Sequence, residues 1–348
     1  MKLLSSTAIL LVLSFFFPSG NTFLALTVEA LAVEAVVMRT VFADDEQEKP
    51  FEAGQLAGRK LLDAMKGTNL ELVLFAESFE ERESKEKLLA GLCSVLPKEK
   101  LFGLSAYGSF LRDSVGDGDR VTLLGIGGDL AVQPALQTEL GVASLTMDTA
   151  EEEIKTKLLQ AGRTLGEKNR APANHRLDIL LADAHSPKNE FLVHGIQEIL
   201  GKDALLLGGS ANKNPDQNYI YYQGTRYEDE AILLTLTGSF QVAMAGRFAN
   251  QGETIVQTAE EAAATAVENV RGTPFGMIAF SCAGRKSKLD ELDDELNAIQ
   301  SQFADQPIFG CFCAGEVGPS DPAVETTDAK CCGSGWYLML AILFSSQN

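Results

Sequence analysis

Residues Ile308–Glu316 read IFGCFCAGE, an apolar strand with an internal glycine that ends in small and polar residues. Two earlier stretches share this form: LFGLSAYGS at 101–109 and LLLGGSANKN at 205–214. Gly103, Gly208 and Gly310 fall in register, 105 and 102 residues apart. One such stretch would be a turn of no consequence. Three at one spacing are an internal repeat, which decides the architecture before any other feature is considered.

Working outward, each glycine-tipped strand follows a second apolar strand: LELVLFAES (70–78), LDILLADAH (177–185) and FGMIAFSCAG (275–284). Helical apolar spacing precedes each of these, with Ala57, Leu61 and Met65, then Ile154, Leu158, Ala161 and Leu165, then Ile255, Ala259, Ala262, Ala266 and Val270. A second helical stretch follows, carrying Leu89, Leu92, Cys93 and Leu96, then Leu192, Ile196, Ile199 and Leu200, then Leu289, Leu292, Leu296, Ile299 and Phe303. Each unit closes on a further strand: VTLLGIGG (121–128), AILLTLTG (231–238) and WYLMLAILF (336–344). In the first two units a glycine turn leads on into another strand, GGDLAVQPAL and TGSFQVAMAGRF.

The third unit ends without that extra strand. AVVMRTVFADD at 35–45 matches QVAMAGRFANQ position by position, Val36, Met38 and Phe42 against Val242, Met244 and Phe248. The expected fold is therefore α/β: three related α-β-α-β-β units, pseudo-symmetric, with mixed sheets and helices packed outside. Pairing of the N-terminal strand with the C-terminal strand is expected to close the assembly. Strand–helix–strand steps are right-handed, so the three tips should emerge on one side, where open α/β sheets collect ligands.

Composition narrows the function. The chain has 348 residues, 45% hydrophobic, enough for a large core. A net charge of −19 repels phosphate backbones and anionic lipid, so neither nucleic acid nor a membrane surface is an expected partner. At the N-terminus Lys2 precedes the apolar run Ala8–Phe17, which Pro18, Ser19 and Gly20 break. This is the form of a secretory signal over residues 1–25, too short for a comfortable bilayer span. Export to the periplasm or medium is the expectation, with no membrane contact beyond that segment.

Six cysteines are too few to form a disulfide scaffold in a chain of this length. Cys93 reads as core. Cys331 and Cys332 are adjacent and would bridge only under strain; a bridge from either to Cys311 or Cys313 and free buried thiols stand as alternatives. Cys311-Phe312-Cys313 lacks the gap of a zinc clip. No metal and no cofactor is expected. GLSAYG is not a G-x-S-x-G elbow, because its second glycine comes one place late. Of the three histidines, His175 and His194 read as surface, and His185, at a strand end, as a polar lining residue.

At the tips, glycine allows positive φ and close approach of backbone amides, which can form an anion nest. The candidate ligand-binding residues are Ser105, Tyr107 and Gly108; Ser210, Ala211 and Asn212; and Cys313, Gly315 and Glu316. The neighbouring SCAGRK adds Cys282 and Arg285. Arg285 could grip a carboxylate through paired hydrogen bonds, and Glu316 could receive an ammonium group, which together describe an amino-acid-like ligand held at both ends. No residue is assigned a catalytic role. The alternative is a hydrolase or transferase with a Ser or Cys nucleophile, such as Ser210 or Cys313, at a glycine-tipped strand end.

FGMIAFSCAGRK followed by PIFGCFCAGEVGP resembles the C-terminal half of the FIST sensory domain, where a strand ending Ser-Cys-x-Gly-Arg precedes a Gly-Glu-x-Gly-Pro tip. The stretches LVLFAES…LFGLSAYGS and LLLGGSANKNP resemble the two tips of its N-terminal half. The resemblance runs from about Glu34 to the end, dividing the chain into 34–238 (two units) and 239–348 (the third). It implies a non-enzymatic sensor of small molecules, amino acids among them, with Gly315, Glu316, Gly318, Pro319, Cys282 and Arg285 at the ligand. Two departures stand out: Ser109 occupies a position where the family usually carries Glu, and the segment after Gly238 is short. No output module follows the third unit, so a free-standing exported binder is expected, working through a separate signalling protein.

Overall fold

The computed structural model describes residues 35–45, 47–170, 176–303, 305–324 and 329–346. The expected signal segment, residues 1–25, and His175 lie outside the described residues. Among the described residues no helix is long and apolar enough to cross a membrane.

The first unit runs β1 (Val37–Asp44), α1 (Pro50–Ala64), β2 (Leu70–Glu77), α2 (Arg82–Cys93), β3 (Leu101–Ser105), β4 (Ser109–Leu111), β5 (Ser114–Gly116), β6 (Arg120–Gly127) and β7 (Leu130–Gln137). The second is α3 (Met147–Lys168), β8 (Arg176–Ala182), α4 (Asn189–Leu200), β9 (Leu206–Ser210), β10 (Ile220–Tyr222), β11 (Thr225–Tyr227), β12 (Ala231–Gly238) and β13 (Gln241–Phe248). The third is α5 (Gly252–Glu268), β14 (Gly272–Cys282), α6 (Ala283–Lys286), α7 (Asp294–Gln302), β15 (Ile308–Cys313), β16 (Glu316–Pro319), β17 (Cys331–Ser334) and β18 (Tyr337–Ser346).

These strands make three six-stranded mixed sheets of one plan: β1-β6-β2-β3-β10-β11, β7-β12-β8-β9-β16-β17 and β13-β18-β14-β15-β4-β5. In each, the two central strands are parallel and the closing strand is antiparallel. Alternate side chains serve two cores, which is why the strands read as continuous apolar runs. Leu72, Leu74, Ile179, Leu181, Ile278 and Phe280 face a central core shared by all three sheets. Val73 and Phe75, Leu180 and Ala182, and Met277 and Ala279 face outer cores under the helices. The helical stripes read from the sequence are the buried faces: Ala57 and Leu61, Ile154 and Leu158, and Ile255 and Ala259 are all at most 0% exposed.

The expected closure is corrected by the register. β1 does not pair with β18; it pairs over eight residues with β6 of its own unit, Val37 opposite Gly127 and Asp44 opposite Arg120. β7 pairs with β12 of the second unit and β13 with β18 of the third. Each extra strand therefore completes the sheet of the unit that follows it. By that rule the third unit already has its partner in β13, and β1 fills the place on the first sheet that no preceding unit can fill. The likeness of 35–45 to 241–251 is real, and the slot it takes is one unit away from the one expected.

The connection after each tip is not a plain loop. It is a small hairpin that leaves its own unit: β4–β5 pairs with β15, β10–β11 with β3, and β16–β17 with β9. The units are thus interlaced at both ends. The boundary expected after Gly238 falls in the tight turn between β12 and β13, inside this exchange.

Candidate functional site

The three tips meet. Asn212 N donates to Ser105 O at 2.8 Å, Ala314 N to Ser210 O at 3.1 Å, and Tyr107 N to Phe312 O at 2.9 Å. Each tip gives one amide to the next, so the three bonds form a closed ring about the pseudo-threefold axis. This ring also corrects the expected anion nest, because these amides are already engaged with one another. Gly103, Gly208 and Gly310 lie inside strands, and neighbouring atoms fill the space a side chain would need. A Cβ would stand 2.5 Å from Phe75 O, 1.9 Å from Leu180 O and 2.1 Å from the Phe110 ring, respectively. The positive φ sits farther along, at Gly108 (129°) and Gly315 (153°).

Beside the ring a cleft of about 580 Å³ opens between the units. Tyr107 comes from the first unit, Ser186, Lys213 and Asn214 from the second, and Cys282–Gly284, Lys286, Cys313–Gly315 and Trp336 from the third. Of the expected residues, Tyr107, Cys282, Cys313 and Gly315 line it. Gly108 instead packs against Gly116 and Asp117. Ser105, Ser210, Ala211 and Asn212 form the packed tips themselves. The Ser105 hydroxyl bonds to buried Glu77, which also takes Lys85 Nζ and Tyr221 Oη, each at 2.9 Å. Ser210 Oγ donates to Ala184 O at 2.7 Å.

Arg285 is a correction with a clear cause. It is 0% exposed and spends its guanidinium within the third unit, on Glu295 at 2.8 Å, Ile255 O at 3.0 Å and Thr258 Oγ1 at 3.2 Å. A second hydroxyl, from Ser281, bonds to the other Glu295 oxygen. Glu316 is equally enclosed: Oε2 accepts from Tyr337 N at 3.2 Å, and Oε1 has no hydrogen-bond partner among the described residues. Burial holds this carboxyl well above the ordinary carboxylate range. The two-ended grip by Arg285 and Glu316 is therefore not what the cleft offers.

The cleft walls carry residues the tip reading did not single out. Trp336, the only tryptophan of the chain, adopts φ +66° in the turn between β17 and β18. A bulky residue rarely takes that conformation. Its ring lies against Gly284, where a Cβ would come within 3.0 Å of it. Lys286 is fixed by Tyr107 O and by Asp117, each at 2.7 Å. Lys213 is exposed, and its backbone N donates to Tyr107 Oη at 3.1 Å. The sequence offers only a weak signal for Trp336 and Lys213, an aromatic in GSGW and a cation in SANKN beside glycine, outside the repeat pattern.

All six cysteines are free thiols. Cys311 Sγ and Cys313 Sγ lie 3.5 Å apart, and Cys282 Sγ accepts from Gly284 N at 3.3 Å. Burial, with the Glu316 charge second, pushes the Cys282 thiol up to about 11, and burial also raises Cys313 well above the ordinary thiol range. Cys93, expected in the core, is half-buried at the edge of the first unit. His185 does not reach the lining; it sits beside Asp183 at 3.3 Å, and His194 is exposed. Among the described residues no group of three or more His, Cys, Asp or Glu could hold a metal ion.

Two cyanuric acid hydrolase structures are similar to the chain. One, from A. caulinodans, has 9% identity and a TM-score of 0.43, covering 90% of this chain and 100% of the other. The second has 10% identity and a TM-score of 0.41, covering 89% and 100%. No curated protein sequence matches. The FIST N domain matches residues 71–263, more than half of the chain, from β2 of unit one into α5, the helix that opens unit three. The chain belongs to the FIST family.

Proposed function

We propose that the protein is a sensory binder of a small organic molecule, held in the cleft between the three tips. The observation that carries this reading is the convergence of all three units on one recess, with Tyr107 and Trp336 on its walls. Sensory small-ligand binding is what a FIST domain suggests, and a cleft of this size suits a ligand of metabolite scale. Recognition would act by favouring one arrangement of the tips over another. Export, as read from residues 1–25, and a separate signalling partner belong to the same proposal; fractionation of expressing cells tests the first.

Because Trp336 is the sole tryptophan and lines the cleft, its emission reports occupancy directly. Screening small metabolites by this signal together with thermal shift should give hits that saturate, raise the melting temperature by mass action and lose the emission change in Trp336→Phe. Hits that bind equally well when the cleft is blocked, or none from a broad screen, overturn the reading.

Of the two nucleophiles the enzyme alternative named, Ser210 is committed to Ala184 O and does not line the cleft, whereas Cys313 lines it together with Cys282; thiolate is the reactive form. A Cys282 thiol at about 11 should alkylate slowly with iodoacetamide at pH 7 and about tenfold faster per pH unit up to that value, followed by peptide mass spectrometry. Rapid, selective labelling at neutral pH would favour the enzyme.

A further inference from the structure

The cleft is positive in a negative protein. Its lining includes Lys213 and Lys286 and no acidic side chain, whereas the whole chain carries −19. Glu316, next to Gly315 in the chain, is fully enclosed and is not part of the lining. Lys286 shares its charge with Asp117, but Lys213 has no ion-pair partner among the described residues. The tip amides of Tyr107, Asn212 and Ala314 are engaged in the ring, and Arg285 is locked to Glu295. An anion entering the cleft would therefore meet Lys213 as its principal charged donor. Tyr107 stands beside it: its hydroxyl accepts from Lys213 N, leaving its own proton to donate.

The remaining wall sets the shape. The Trp336 indole is held against Gly284, and the rest of the surface is Cys282, Cys313 and small residues. A flat unsaturated group stacks well on such a ring, and the polarizable thiols behind it are apolar neighbours.

We infer that the ligand is a small organic carboxylate with a flat unsaturated body, its carboxylate on Lys213 and Tyr107 Oη and its plane against Trp336. This rests on the cleft being the ligand site and goes beyond it by naming the chemical class. Charge-assisted hydrogen bonds are about twice as strong as neutral ones, and the attraction is weakened by salt at an exposed lysine.

The test is an equilibrium titration of Trp336 emission in the full chain. Probes are benzoate, nicotinate and sorbate, each beside its neutral amide, with benzylamine as the cation. At least one acid should bind ten times or more tighter than its amide, and added sodium chloride should narrow the gap. Lys213→Gln, at an exposed position and checked for an unchanged melting temperature, should cost that acid about tenfold and leave its amide unaffected. An amide or benzylamine that binds as tightly as the acid overturns the class while leaving the cleft as a ligand site. Binding by no probe overturns the class as well. Failure of the broad metabolite screen, in contrast, removes the site itself.

Discussion

At the residue scale, Arg285 and Glu316 both neighbour residues of the cleft in the chain and are both fully enclosed. Arg285 and Glu295 form a buried pair whose partners are all within the third unit. Arg285→Leu would leave Glu295 enclosed without its cation, a loss of about 3–5 kcal/mol. Chemical denaturation should show it as a lower midpoint with an unchanged slope, and the cleft should still bind in the fraction that remains folded. A second group of titrating residues lies behind the tips. Burial lifts Asp183 to about 6 and Glu230 to about 7, the latter also by Asp229 and Asp183, and lowers His185 to about 4. A carboxyl raised in the fold lends stability below its unfolded value and loses it as pH rises through the folded one; the lowered histidine lends stability above about 6.5, lost as pH falls toward 4. Two carboxyls oppose one imidazole, so the melting temperature should fall from pH 5 to 8, and Asp183→Asn with Glu230→Gln should flatten the curve. A curve equally steep in the double variant would remove these groups from the account.

At the element scale, β1 is a structural member of the first sheet and not a clasp on the last strand. Met38 is 0% exposed in the central core and touches Gly276 of β14, where a Cβ would stand 2.6 Å from its sulfur. Met38→Ala should cost about 2–5 kcal/mol through the cavity it leaves, measurable as a fall in the denaturation midpoint. A cost below about 1 kcal/mol would mean that β1 is dispensable to the core. The elements legible in the sequence were those with long periodic patterns, namely three helix–strand–helix–strand units and their closing strands. The exchanged hairpins were not, since each strand is only three or four residues long and its partner lies in another unit. One clue was available in YYQGTRY, where Gln223 and Gly224 take φ 51° and 73°, the turn geometry that joins two short strands. In the site, Tyr107, Cys282, Cys313 and Gly315 were legible because they follow the repeat. Lys213 and Trp336 were not, because no repeat marks them, and Arg285 was misjudged because its partner Glu295 is ten residues away on another helix.

At the scale of the whole molecule, the three sheets share one plan and each is built from the strands of two or three units. A fragment covering residues 35–238 would keep β8 and β9 but lose β16–β17 from that sheet, and its β4–β5 hairpin would have no β15 to pair with. Such a fragment should show no cooperative thermal transition and be cut rapidly by protease, whereas the full chain should unfold in one calorimetric step. A stable, protease-resistant fragment would mean the interlacing contributes little. The cleft inherits this cooperativity, since no single unit supplies both Tyr107 and Trp336.

The exchange of hairpins also fixes an order of events during synthesis. Strand β3 must wait for β10 before its outer edge is covered, and the β4–β5 hairpin must wait for β15, with Ser109 facing Cys311. A ribosome adding about 5–20 residues per second needs roughly 10–40 seconds to span that gap. During that interval the nascent protein carries bare sheet edges that invite pairing with neighbouring chains. The hairpin made first thus waits longest for its partner, and the sheets stay incomplete until β15 and the β16–β17 hairpin of the third unit have been made.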